Sequence, residues 1–480
     1  MDSRSYEKRV DIMKVAVIGN GILGLTSARE IAKIHPTCEI HIFGLATRSM
    51  AGSMAAAAML NSFAELEKGY LEHKINQKRF FHSREATRIW SKYIEELQAE
   101  SGQEIPHGQD TFLISNNSSE DIDYENFETI CQALKEFDAP HDWVELRDIP
   151  GFRPSREGRS ALAVHIQNEG WMDTGPTISA LELILSKNSL VKFIDMEIIE
   201  VTQSQTSNEL VLRDIDGSEY YYDKVLISAG AKSRNFFEQL GLTNDNPKVL
   251  FGIGTTLRLR VNGLQQQSVV RTPNRGLACG LYSAPYFPDQ LIIGATNQVT
   301  ENERDLPTVE DVRSLLSMAQ RELNYTLSDA CLLKVNTGYR PVSTDGVPLI
   351  GMVPLKNVYL CTGTRRDGWH LAPYLSPLIA QLVIKDETPK ELEIYDPIRV
   401  PYRFITREKS IEMATKQYVS GMYQHGLEMP YGSYRNHISR NYEGYFQKLH
   451  DYAGLKEDGI PIDLIAYCSV KMSKGEEISI

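Results

Sequence analysis

The stretch Lys14-Val-Ala-Val-Ile18-Gly19-Asn20-Gly21-Ile22-Leu23-Gly24 decides how the chain folds. After Lys14 it opens as a short apolar run, which predicts a buried strand. It then runs into the pattern G-x-G-x-x-G, beyond which Leu25, Ala28, Ile31 and Ala32 recur at helical spacing until His35-Pro36 ends the helix. Residues 38–43 read as a second strand. Strand, glycine turn, helix and strand are the context that gives the pattern a meaning. Gly19 permits the tight turn, Gly21 lets backbone amides approach a diphosphate, and Gly24 lets the helix pack on the strand. The helix N-terminus then faces the negative charge, so a dinucleotide site is predicted rather than a plain turn. One position departs from the pattern. An acidic residue normally meets the adenosine ribose about 20 residues after the turn. Gly44 stands there, with Arg48 nearby to suit a 2′-phosphate. From this fingerprint alone, NADP and FAD are both open.

Composition bounds the rest. A chain of 480 residues predicts two to four domains, or two large interleaved ones. Lys plus Arg is 51 and Asp plus Glu is 63, a net charge of −12 that disfavours a basic nucleic-acid face. With 42% hydrophobic and 24% charged residues, the chain is globular rather than disordered. The six cysteines (Cys38, Cys131, Cys279, Cys331, Cys361 and Cys468) are scattered, which argues against a zinc site or a disulfide framework and suits a reducing cytoplasm. The N-terminus lacks a signal-peptide core, and no apolar run reaches the roughly 18 residues of a membrane span. A cytoplasmic protein is therefore expected. G-x-S-x-G, H-E-x-x-H, Walker A and EF-hand patterns are absent, and the eleven histidines show no ligand spacing, so no metal site is expected.

Far along the chain a second glycine turn appears. Gly338-Tyr-Arg-Pro341 precedes Thr344-Asp-Gly-Val-Pro-Leu-Ile-Gly351, and the strand-like Val358-Tyr-Leu-Cys361 enters Thr362-Gly-Thr-Arg-Arg-Asp-Gly-Trp-His-Leu-Ala-Pro373 and a helix. A second helix N-terminus can thus point at a ligand.

Together these segments resemble the glycine oxidase and D-amino-acid oxidase family of FAD-dependent oxidoreductases, and most closely the thiamine-pathway glycine oxidases, over residues 13–400. Four further stretches carry the resemblance: Ala51-Gly-Ser-Met-Ala-Ala-Ala-Ala-Met-Leu60, Asn168-Glu-Gly-Trp-Met-Asp173, Lys224-Val-Leu-Ile-Ser-Ala-Gly-Ala-Lys-Ser233 and Gln290-Leu-Ile-Ile-Gly-Ala-Thr296. The resemblance implies an α/β fold: a Rossmann-like FAD-binding domain (13–75, 161–245 and 336–400) interleaved with a substrate domain (76–160 and 246–335) on a mixed, largely antiparallel sheet. Residues 401–480 follow as a helical C-terminal extension. The runs 248–261 and 276–296 suit the substrate sheet, and residues 309–323 suit a helix covering it.

The chemistry implied is oxidation of an amine beside a carboxylate, with hydride passing from the α carbon to flavin N5. The residues implied for substrate are Arg340 as the carboxylate clamp, Arg366 touching substrate and flavin, and Tyr282 lining the pocket. For the cofactor they are Gly19, Gly21, Ile22, Leu23, Gly24, Gly44, Leu45, Gly52, Ser53, Ala57, Ala58, Met59, Ile198 and Thr364, Arg365, Arg366, Asp367, Gly368, Trp369 and His370. The flavin is expected to be non-covalent, since the cysteine of the sarcosine-oxidase branch has no counterpart near Gly338-Tyr-Arg-Pro341. At Gly44 either FAD would bind less tightly, or the ribose would rely on backbone, water or Thr47. His370 reads as a packing residue rather than a base, and Arg340, Arg365 and Arg366 should make the pocket locally basic. The expected activity is an oxidase of a small amino acid or N-substituted glycine using O2. The alternatives are a dehydrogenase feeding a quinone or protein, a biosynthetic amine oxidase acting on a carrier-bound or modified amino acid, and a flavin-fold scaffold without catalysis.

The extension is where the resemblance stops. It holds nine of the 23 tyrosines (Tyr402, Tyr418, Tyr423, Tyr431, Tyr434, Tyr442, Tyr445, Tyr452 and Tyr467), a density that predicts order. Helices are expected over 408–423 and 442–453 around a breaker-rich 426–432. The segment reads as a pocket lid, an oligomer contact, or a dock for a substrate-carrying protein.

Overall fold

The computed structural model describes residues 12–116, 121–158, 160–275, 280–286, 288–424, 434–478 and 480. Cys279, Tyr431, the expected break at 426–432 and part of the 276–296 run lie outside these residues. The opening stretch forms the strand Lys14–Ile18 and the helix Ile22–Ile34, followed by the strand Glu39–Phe43. They build a six-stranded sheet in the order Leu349–Met352, Val358–Thr362, Lys224–Ile227, Lys14–Ile18, Glu39–Phe43, Val191–Ile194. All neighbours are parallel except the first pair, which is antiparallel.

Strand alternation divides the core into two layers. Val15 and Val17 point toward a helical layer made by Ile22–Ile34, Lys74–Ser101, Thr174–Ser186 and Gly368–Lys385. Ala16 and Ile18 point the other way, toward a three-stranded antiparallel meander spanning residues 198–222.

The second sheet has ten strands and is mostly antiparallel. Its spine is the pair Val249–Arg260 and Cys331–Ser343, joined along nearly their whole length with Gly252 opposite Arg340. The helix Val309–Glu322 covers it. Thr308 and Asp311 form a capping box at its start, and Leu315 and Ala319 pack with Leu257, Leu291 and Ile293.

Three of the exchange points between the two parts lie away from the expected 75/76, 160/161 and 335/336. The helix Lys74–Ser101 joins the six-stranded sheet's helical layer, because Ala86, Trp90, Tyr93, Ile94 and Leu97 form one apolar stripe facing it. The strands Ser160–Met172 and Cys331–Ser343 both belong whole to the ten-stranded sheet, since a hydrogen-bonded ladder does not divide at a residue number.

The extension is helical: Arg407–Gln424, Tyr434–Tyr452 and Ile465–Lys474. It is not an appendage. Ile411, Phe446, Leu449, Ile465 and Cys468 form one core with Leu250, Val299 and Val342 of the ten-stranded sheet. Tyr442 stacks on the fully buried Phe446 while Tyr418 and Tyr445 meet it edge-on, so part of the tyrosine density is spent inside this core. Among the described residues no helix is long and apolar enough to cross a membrane.

Candidate functional site

The C-terminal ends of the parallel strands open onto a cavity of about 350 Å³ that reaches across to the ten-stranded sheet. Steric demands show why glycines stand at its rim. A Cβ at Gly19, where φ is 120°, would lie 2.2 Å from Ser228 O. One at Gly24 would lie 1.9 Å from Gly19 O, so Gly24 serves helix packing. Every other expected cofactor or substrate residue lines the cavity; Gly24 does not. The helix Ile22–Ile34 leaves its first amides without intrahelical partners. That of Ile22 donates to Ser53 Oγ at 3.1 Å, which ties the small-residue loop to the glycine turn. Trp369 Nε1 donates to the Ser53 carbonyl at 3.0 Å and brings the second glycine turn against the same loop. A glycine-rimmed cleft flanked by two helix N-termini fits an extended dinucleotide.

The anomaly at Gly44 has a steric cause. A Cβ there would fall 2.6 Å from Asn20 Cγ, and the Asn20 amide donates to Leu45 O at 3.0 Å. Asn20 therefore occupies the ground of the usual acid, while Thr47 does not line the cavity. Arg48 is committed elsewhere, with Nη2 2.5 Å from Glu182 Oε1 and Nε donating to Asn20 O. That removes the residue that favoured a 2′-phosphate.

Across the cavity lies Arg340. Its Nη1 donates to Thr296 O at 2.8 Å and to Asn297 Oδ1 at 3.2 Å. Among the described residues no carboxylate pairs with it. Its guanidinium lies flat against Gly254, where a Cβ would come within 2.2–2.5 Å of Nη1, Cζ and Nη2. We expect Gly254→Ala to push the guanidinium aside and raise KM about tenfold or more, the scale of a charge-assisted hydrogen bond. FAD uptake should be unchanged. Steady-state kinetics check this, and a wild-type KM would remove Gly254 from the site.

The expectation that Arg340, Arg365 and Arg366 together make the pocket locally basic is corrected. Arg366 Nη1 donates to Asn274 Oδ1 at 3.1 Å, and Nη2 lies 3.6 Å from Glu65 and 3.5 Å from Glu67. Glu65 also pairs with the fully buried Arg271. Burial raises the Glu65 pKa, but Arg271 and Arg366 outweigh it and hold the carboxyl at about 2. Arg365 pairs with Asp463 of the extension. Buried or half-buried cations acquire counterions, and of these three arginines Arg340 alone has no carboxylate partner among the described residues.

Tyr282 is buried, with its ring among Ala57, Trp171, Val269 and Ile292. Gly294 makes room for its hydroxyl, since a Cβ there would lie 2.3 Å from Oη. His370 is turned to the long helix: Nε2 lies 2.8 Å from Ser83 O and 3.0 Å from Ser83 Oγ, and burial lowers its pKa. A carbonyl only accepts, so Nε2 carries the proton and the ring is neutral.

Asn20, Glu65, Gly254 and Asp463 were not expected from the sequence. Only Gly254 left a signal, as one of two glycines, with Gly252, inside the strand Val249–Arg260, where a glycine marks a close approach. Among the described residues no group of His, Cys, Asp and Glu could hold a metal ion.

Residues 14–382 match the family described as FAD dependent oxidoreductase (DAO). The chain is 24% identical over 383 residues to the glycine oxidase of Geobacillus kaustophilus (strain HTA426), covering 79% of this chain and 94% of that protein. It is 26% identical over 184 residues to the D-amino acid dehydrogenase of Vibrio vulnificus (strain YJ016), covering 38% of this chain and 42%, under half, of that protein. The crystal structure of glycine oxidase from Geobacillus kaustophilus aligns with a TM-score of 0.67 at 21% identity, over 81% of this chain and 99% of that one. That of iminodiacetate oxidase from Chelativorans sp. BNC1 aligns with a TM-score of 0.66 at 18% identity, over 80% and 98%.

Proposed function

The chain belongs to the DAO family of FAD-dependent oxidoreductases, and from the cavity's charges we propose that it oxidises a small amino acid or N-substituted glycine at the carbon bearing the amine. The observation that carries this is Arg340: a half-buried arginine facing the cavity with no carboxylate of its own among the described residues. A planar guanidinium offers two parallel donors to a carboxylate. With Thr296 O and Asn297 Oδ1 fixing Nη1, the fork is oriented before substrate arrives, which lowers the entropic cost of positioning.

FAD, when bound, supplies the acceptor for the two electrons leaving the substrate's α C–H bond. The chain's own residues bind and orient. The N-terminus of the helix Ile22–Ile34 would face the diphosphate, and that of Gly368–Lys385 would face the second end of the cofactor. Asn20 stands beside the place where the ribose hydroxyls would lie. Tyr282 walls the substrate end with an apolar ring and presents its hydroxyl at one edge. No side chain needs to act as base if the amine enters neutral, and the neutral His370 ring is held by Ser83.

An anaerobic screen tests the reading. Purified protein is mixed with amino acids, N-substituted glycines and matched amines lacking the carboxylate, and loss of the oxidised flavin absorbance is followed. Carboxylate-bearing amines should reduce the flavin about 100-fold faster than their decarboxylated analogues, because a site built around a charged hydrogen bond rejects partners that cannot make it. Equal rates would remove the clamp reading. The acceptor is then read from stoichiometry. One peroxide per substrate in air supports an oxidase, while reduction of a quinone dye without peroxide supports the dehydrogenase chemistry named for the Vibrio relative.

A further inference from the structure

The extension lies beyond the family match, yet it touches the wall of the main cavity at Arg365. Arg365 sits in the second glycine turn with a φ of 53°, a left-handed conformation that disfavours any residue but glycine. Something must hold it there. Its amide donates to Pro341 O at 2.8 Å, which joins the turn to the residue after Arg340. Its guanidinium is held by Asp463, and the two side chains are only 24% and 25% exposed. Asp463 is firmly mounted. It lies in the single turn Ile462–Leu464, and Leu464 and Ile465 are buried in the core shared with Leu250 and Val342. The following helix grips the substrate side as well, through Tyr467 and Lys471 on Glu301, at 2.5 and 2.9 Å. Glu301 lies just beyond Thr296 and Asn297, which orient Arg340.

We propose that Asp463 is a positioning residue for the cofactor site: by holding Arg365, it keeps the turn 363–367 in the shape that receives FAD. The extension is then part of the holoenzyme's cofactor site and not only a cover for the sheet. This rests on FAD occupying the main cavity, and not on the choice of substrate or acceptor.

Two effects of removing the carboxylate oppose each other. An unpaired Arg365 adds positive charge beside an anionic cofactor, which tightens binding. A released turn must be reordered on binding, which weakens it. A strained turn anchored at one side chain favours the second.

The test uses full-length protein stripped of flavin, with FAD affinity measured by quenching of flavin fluorescence. Asp463→Asn, nearly isosteric, should raise the FAD dissociation constant about tenfold, the usual scale of coupling within a contacting pair. The melting temperature of the stripped protein should stay close to wild type. Asp463→Glu should recover most of the affinity. Arg365→Gln should show a similar loss, and the double variant Arg365→Gln/Asp463→Asn no more than the larger single one. Tyr467→Phe, on the same segment but away from the turn, should bind FAD normally. An unchanged or tightened dissociation constant in Asp463→Asn would overturn the proposal. So would losses that add in the double variant, or a fall in melting temperature without a change in affinity. A wild-type chain that took up no FAD would sink the cavity reading itself, and this inference with it.

Discussion

Arg340→Ala is expected to lower kcat/KM for the best amino-acid substrate by about 10²–10³-fold, the cost of leaving a carboxylate without its charged partner. The loss should fall mainly on KM if the clamp serves bound substrate and reacting substrate alike, and on kcat as well if it sets the α carbon's position. Stability should barely change. Among the described residues Arg340 donates only to Thr296 O and Asn297 Oδ1, and its removal strands no buried carboxylate among them. The flavin spectrum should be intact for the same reason. Arg340→Lys is the informative companion. It keeps the charge but replaces the planar fork with a point charge, so it should recover only part of the activity. Wild-type kcat/KM in Arg340→Ala would end the carboxylate-clamp assignment.

How far this site could be read from the chain depends on how local each feature is. The glycine turn at 19–24 was legible because its strand, turn and helix are consecutive; Gly24 answers to the Gly19 carbonyl and Gly19 to the neighbouring strand end at Ser228, while Gly21 meets the Ser53 side chain of the small-residue loop. Arg340 was legible through the resemblance of its surroundings. That no carboxylate among the described residues pairs with it was not, because that depends on what folding brings beside it. Arg366 shows the opposite outcome of the same rule: Glu65 and Glu67 arrive from a distant segment and neutralise it. The vacancy at Gly44 looked like a lost contact. The structure shows instead a side chain, Asn20, moved into the space from the glycine turn itself. Domain limits were the least legible part. The helix Lys74–Ser101 takes its allegiance from an apolar stripe that fits either layer until the partner helices are known.

Removal of residues 401–480 should have the largest structural effect: the shortened chain is expected to accumulate in aggregates rather than as a folded, FAD-loaded monomer. The extension covers Leu250, Val299 and Val342 on three strands of the ten-stranded sheet. Burying a side chain of this kind contributes about 1.5–3 kcal/mol. Three of them give roughly 5–9 kcal/mol, which is comparable with the 5–15 kcal/mol that stabilises a typical folded domain. The uncovered face would also be a contiguous apolar patch beside a sheet, a surface that promotes association. The cut would further release Lys409 from Glu72, Lys416 from Glu125 and Asp463 from Arg365, of which the first, an exposed pair, adds little beside the lost core. Size-exclusion chromatography and the flavin content of the soluble fraction measure the result. A monodisperse, FAD-loaded monomer melting near the wild-type temperature would show that the sheet stands without its cover. If that monomer were also inactive, the extension would be acting on the pocket as a lid. Collapse of a dimer into such a monomer would assign it to an oligomer contact. Aggregation is favoured over both because the buried apolar side chains of these helices, Ile411, Phe446, Leu449, Ile465 and Cys468 among them, form one core with the chain's own strands.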